Sequence, residues 1–238
     1  MMRLFKLILI IAIIPACSQD IQDVFVGQGI FSGEATSTSV ILQTRLTISD
    51  SLTNGDINGV QGYGMFQYAL DSTFNNPKNT EWIKAVSGND FIIKKTITGL
   101  KPGTKYFYRM LFGRDTVNDP YTSETASVKT LHGASSDAKV SLVVVTGMNH
   151  YFFHHGNYDS TKAYPGDDKK LGYPALVAIK NLKPDYFIGT GDNVYFDHPN
   201  KGNFDWAIES GKSPHPAGHD GKEVVDEEGM RKKYHEQF

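Results

Sequence analysis

The chain has 238 residues, 39% hydrophobic and 21% charged, with 24 basic against 26 acidic residues and a formal net charge of -2. That is room for one large or two modest globular domains, and charge so nearly balanced gives no footprint for nucleic acid or for an anionic membrane surface. A single cysteine, Cys17, excludes an intrachain disulfide and a thiolate metal site in the folded body.

At the N-terminus, Arg3 and Lys6 precede an unbroken apolar run from Leu7 to Ile14, followed by Pro15-Ala16-Cys17-Ser18. This is the layout of a signal peptide, and the run falls short of the roughly 20 apolar residues that span a bilayer. The small residue before Cys17 resembles the lipobox of bacterial lipoproteins, from which Pro15 departs. The resemblance implies a leader over residues 1–16 and Cys17 as the lipidated first residue of an exported cell-envelope protein, periplasmic or attached to the outer membrane. Membrane contact is then expected through the lipid anchor alone. A plain secreted protein cleaved nearby is the alternative.

From about residue 22 to 131 the chain shows short alternating or β-branched runs separated by Gly, Asn, Asp and Pro clusters, which predicts an all-β sandwich. Ser39 to Leu46 places Val40, Leu42, Thr44 and Leu46 on one face. Gly62–Leu70, Phe91–Ile97, Lys105–Phe112 and Ala126–Leu131 are further strand candidates. The segment Leu100-Lys101-Pro102-Gly103-Thr104-Lys105-Tyr106 resembles the fibronectin type III turn into strand F. That likeness implies a tyrosine corner, with the Tyr106 hydroxyl bonded back to the turn.

His132 to Ala138 reads as a linker, and the period then changes. Lys139 to Val145 is a near-continuous apolar run, expected of a strand buried on both faces of a parallel sheet. Tyr173-Pro174 opens a helix carrying Ala175, Ala178, Ile179 and Leu182, and Pro184 stops it. Tyr186 to Ile188 is the second strand. A right-handed strand-helix-strand crossover brings both strand ends to one edge, beside Asn149 and Asp192. Asp226 to Phe238 is again predicted helical. Two parallel strands do not make a stable domain, so either residues 139–238 depend on the sandwich or, as is expected here, they are the first part of an α/β unit continuing beyond Phe238.

Chemistry concentrates in Gly191-Asp192-Asn193-Val194-Tyr195, after the second strand. An acid and a phenol are hard oxygen ligands, and the carboxyl end of a parallel strand is where open α/β sheets bind ligands. Asp192 is a candidate carboxylate bridging two metals. Tyr195 is a candidate phenolate ligand suited to trivalent iron, and Asn193 a ligand or phosphate donor. Gly-Asp-Asn after a strand is also ordinary turn chemistry. Among His150, His154 and His155, interleaved with aromatic residues, His150 lies nearest a strand end and is the candidate metal ligand or proton donor to a leaving oxygen; His150 and His154 share a face if the segment is helical. Asn149 is a second-choice ligand. His198, His215 and His219 have no clear register.

The run Pro184-Asp185-Tyr186-Phe187-Ile188-Gly189-Thr190-Gly191-Asp192-Asn193-Val194-Tyr195 resembles the metal-binding strand of calcineurin-like metallophosphoesterases, most closely the PhoD-like alkaline phosphatases. Purple acid phosphatases are the near rival. The PhoD-like branch also combines an exported N-terminus with a fibronectin-like domain bearing a Thr-Arg-Leu strand, here Thr44-Arg45-Leu46. The likeness covers most of residues 24 to 195. It implies an all-β fibronectin III-like sandwich followed by the first part of an α/β metallophosphoesterase domain. It also implies a phosphatase or phosphodiesterase acting on small phosphate esters. Asp192 would bridge the metals and Tyr195 would bind iron (Fe3+), with calcium as partner, or zinc or manganese in their place.

The chain departs from that pattern in several places. Thr146-Gly147-Met148-Asn149-His150 stands where the family has Ser-Cys, with Gly147 in place of a thiolate ligand, and Gln43 where many relatives carry Trp. The Asp-x-His of the wider superfamily and the later Asn-His and His-x-His ligands are missing, so the 238 residues alone are expected to be catalytically incompetent. The competing reading is a surface lipoprotein that binds a partner or glycan through its fibronectin-like sandwich, with a degenerate phosphoesterase remnant.

Overall fold

The computed structural model describes residues 22–53, 56–116, 119–156, 160–169, 172–197 and 224–237. The expected leader, Cys17, His198, His215 and His219 lie outside them.

The first strands are β1 (Ile30–Gly33), β2 (Val40–Arg45), β3 (Gly62–Ala69), β4 (Lys78–Asn79), β5 (Ile83–Ala85), β6 (Ile92–Ile97), β7 (Lys105–Gly113), β8 (Tyr121–Thr122) and β9 (Ala126–Lys129). They make two antiparallel sheets. One has the order β1-β2-β6, the other β4-β3-β7-β8 with β5 also on β3 and β9 also on β7. The chain crosses from one sheet to the other at β2–β3, β5–β6 and β6–β7. Both sheets therefore contribute to one core, in which Leu42 and Ile93 meet Phe66, Met110 and Phe112.

Alternation sets which side chains enter that core. Val40, Leu42 and Thr44 of β2 are buried, as are Tyr106, Tyr108, Met110 and Phe112 of β7, in keeping with a period of two. Each large apolar side chain removed from water contributes roughly 1.5–3 kcal/mol. The turn before β7 closes as its residues require: the Lys101 N–H donates to the Tyr106 hydroxyl over 2.9 Å, and Gly103, with φ of 61°, donates to the Leu131 carbonyl. The tyrosine corner is present.

Beyond the sandwich lie β10 (Leu142–Val145), α1 (His150–His155), α2 (Pro174–Leu182), β11 (Tyr186–Gly189) and α3 (Glu227–Gln237). β10 and β11 pair in parallel, Leu142 opposite Tyr186 through Val145 opposite Gly189. Pro174 sits in the first turn of α2, and Lys183 ends that helix in a left-handed conformation before Pro184.

Strand β10 differs from the expectation in two respects. It starts at residue 142, because Asp185 takes hold of Ser141. The Asp185 carboxylate accepts from the Ser141 N–H and hydroxyl, both at 3.0 Å, and from Lys129 Nζ at 2.9 Å. The Ser141 N–H, then Lys129, hold its carboxyl down to about 2. The second difference is burial: Leu142 and Val144 are each 54% exposed, and Phe187, Ile188 and Leu182 are exposed as well. Among the described residues no second layer covers this pair of strands.

Candidate functional site

Parallel pairing delivers two loops to one edge, Thr146–Asn149 after β10 and Thr190–Tyr195 after β11. They are stitched together. The Met148 N–H donates to the Asp192 carbonyl over 3.0 Å and the Thr146 hydroxyl to the Gly191 carbonyl over 3.2 Å. The bends need left-handed backbone at Gly147 (φ 76°), Gly191 (φ 123°) and Asp192 (φ 54°). Glycine takes such angles without a Cβ clash, and aspartate is among the few other residues that tolerate them.

Asn149 caps α1: its side-chain oxygen accepts from the Phe152 N–H over 2.9 Å. That bond fixes the start of the helix and engages the oxygen that a metal would need. His150 follows in the first turn, and its ring centroid lies 4.2 Å from that of His154, so the segment is helical and the two histidines share a face. His150 Nδ1 is 3.7 Å from the Glu236 carboxylate. Burial, then the Lys169 ammonium, push the His154 imidazole down, with Glu236 opposing.

Tyr195 and Asp192 are brought together. Burial, then the hydrogen bond with the Asp192 carboxylate, hold the Tyr195 phenol above its ordinary range. A proton held between two hard oxygens occupies a position that a cation can take in its place, so this pair fits a metal in kind. Asn193 is placed differently from Asp192: its side chain folds back over Gly189, within 2.9 Å of where a Cβ would stand. Its Oδ1 is buried and without a hydrogen-bond partner among the described residues, and so is the Tyr173 hydroxyl. Burial, then Tyr195 and Glu236, push the Tyr173 phenol up to about 12.

Tyr173, Glu236 and Gln237 complete the surroundings of the turn, and sequence reasoning did not assign them to it. Tyr173 read only as the residue opening α2, and the others as part of the terminal helix. No group of three or more His, Cys, Asp or Glu side chains with metal-holding geometry occurs among the described residues. Asp192 and Tyr195 are therefore a pair of donors here.

The sequence matches the family model of the PhoD-like phosphatase N-terminal domain over residues 13–132. The chain belongs to the PhoD-like phosphatase family. That agrees with the resemblance read from the 184–195 run, although the match falls on the sandwich at the other end of the chain. The fold is similar to the structure of PhoD, with a TM-score of 0.58 and 16% identity over 89% of this chain and 35% of PhoD. The chain thus spans about a third of the length of that relative. It is also similar to the sensor domain of the anti-sigma factor RsgI4 from Pseudobacteroides cellulosolvens, with a TM-score of 0.35 and 22% identity over 47% of this chain and 98% of that one. A human fibronectin type III domain, from KIAA0970, has a TM-score of 0.32 and 15% identity over 46% of this chain and 74% of the other. Comparison with curated proteins gives no match.

Proposed function

We propose that the chain is part of an exported, metal-dependent phosphoric ester hydrolase, a phosphatase or phosphodiesterase, whose reactive face is the edge where β10 and β11 end. The observation that carries this reading is the Asp192–Tyr195 pair, hydrogen-bonded at the carboxyl end of a parallel strand in a chain of the PhoD-like family. Residues 22–131 are then a sandwich domain and residues 139–238 the first part of an α/β metallophosphoesterase domain. A leader over 1–16 and a lipid on Cys17 keep the protein at the cell envelope.

Asp192 and the Tyr195 oxygen would hold the metal. When bound, trivalent iron with calcium, or zinc or manganese, supplies Lewis acidity toward the phosphoryl oxygens. The remaining steps belong to the chain's own residues. His150, at the start of α1 beside Glu236, would give a proton to the leaving oxygen. Asn193 would turn out from over Gly189 to offer its amide to a phosphate oxygen, and the Asn149 cap holds the His150 turn in place. The substrate is a small phosphate ester.

The test uses the whole native protein. Loaded with iron and calcium, it should hydrolyse a nitrophenyl phosphate and absorb visibly through a tyrosinate-to-iron transition. Tyr195→Phe should remove the absorption, and Asp192→Asn should lower metal content and turnover by about a hundredfold while leaving the protein folded. A whole protein that is colourless, metal-free and inactive would sink the reading.

A further inference from the structure

Helix α3 has two working faces. Arg231 and His235, four residues apart, lie on one side, while Gln237 points away from it. On the first side, His235 is clamped between two carboxylates of the sandwich: Nδ1 lies 2.9 Å from Asp56 Oδ1 and Nε2 lies 2.6 Å from Asp90 Oδ2. The other oxygen of Asp90 accepts from Arg45 over 3.0 Å. Arg231 donates to the carbonyls of Ser87 and Gly88 over 3.1 and 3.3 Å. His235 is only 9% exposed, and Asp90 and Phe91 hold left-handed angles of 51° and 57°. Strained backbone of this kind persists only where its surroundings fix it. On the other side, the Gln237 amide donates to the carbonyl of Met148 over 3.1 Å and also to that of Asn193. One side chain thereby ties the loop after β10 to the loop after β11.

We infer that α3 is a strut through which the sandwich positions the Gly191–Tyr195 turn, with His235 and Gln237 as its positioning residues. The β10–β11 pair has no covering layer among the described residues, and its two end loops carry left-handed residues at 147, 191 and 192. Such loops need an external anchor to keep Asp192 and Tyr195 in one arrangement. The sandwich core is the rigid body within reach. His235 fixes α3 to it in two directions at once, because each ring nitrogen has its own carboxylate. The anchoring rests on the proposed metal turn for its purpose, and its geometry stands without the metal.

Amide hydrogen exchange in the 238-residue chain, with no metal added, tests it. The reporter is the Met148 amide, bonded to the Asp192 carbonyl. Gln237→Met, which keeps the volume but removes the donor, should speed exchange at Met148 by about tenfold, as expected for the loss of one or two hydrogen bonds. His235→Ala should do the same, while amides of β3 and β7 exchange as before. His235→Gln, which retains a donor toward one carboxylate, should recover part of the protection. If His235→Ala loosens residues 227–237 while Met148 stays protected, the strut is refuted. No change at Met148 in Gln237→Met refutes it too, and that variant decides the matter should His235→Ala disturb the sandwich. A turn that never binds iron would leave the exchange result intact, so the two readings fail separately.

Discussion

Arg45 occupies a position that simple alternation turns outward, between the inward Thr44 and Leu46, yet it is 7% exposed. Its guanidinium donates to the Asp90 carboxylate, the Asp90 carbonyl and the Ile57 carbonyl, the last over 2.7 Å. Removing it leaves the Asp90 charge nearly buried beside His235, its remaining partner among the described residues. Arg45→Met should therefore lower the unfolding free energy by about 3 kcal/mol in a urea titration, and adding Asp90→Asn should restore part of that. Family likeness pointed to the Thr44-Arg45-Leu46 run, but the reason for the arginine was not legible, because its partners come from separate segments that no local period connects. Asp185 makes the complementary case. Its folded carboxyl is held at about 2 against an ordinary 3.8, so its contribution is fully present at neutral pH and is lost as pH falls through that interval. Asp185→Asn should flatten the acid side of the stability profile between about pH 4 and pH 2, as followed by urea midpoints.

Among elements, length and neighbours decided what could be foreseen. The strands β2, β3, β6 and β9 fall within the runs read from alternation, β7 runs one residue past its run to Gly113, and α2 and α3 lie within their helical stretches. The pairs Lys78–Asn79 and Tyr121–Thr122, and the three residues Ile83–Ala85, carry no pattern of their own and exist because β3 and β7 offer them an edge. Tyr106 shows the opposite situation, in which one local turn specifies a tertiary bond. Tyr106→Phe keeps the ring in the core and removes only the acceptor for the Lys101 N–H, so it should lower stability by about 1 kcal/mol, measurable by chemical denaturation. The apolar run at 139–145 misled on burial because it announces what the strand needs, and the described residues supply one face of pairing but no cover.

At the scale of the whole molecule, family membership and candidate chemistry reside at opposite ends of the chain: the match spans 13–132 and the Asp192–Tyr195 pair lies beyond it. The sequence placed Asn149, His150, Asp192, Asn193 and Tyr195 at one sheet edge, since two parallel strands joined by a helix leave no other arrangement. It could not place Tyr173, Glu236 and Gln237, which arrive through the start of α2 and the return of α3. That return has a consequence for the order of folding. Gln28 donates to the His235 carbonyl, 207 positions along the chain. Closing a free loop of that length costs about 5 kcal/mol in entropy, more than one hydrogen bond returns. The acceptors that receive α3 also come from several segments of the sandwich and exist as a set only after it has closed. Docking of α3 is therefore a late event, and during synthesis from the N-terminus the sandwich is complete before the helix that fastens to it has been made.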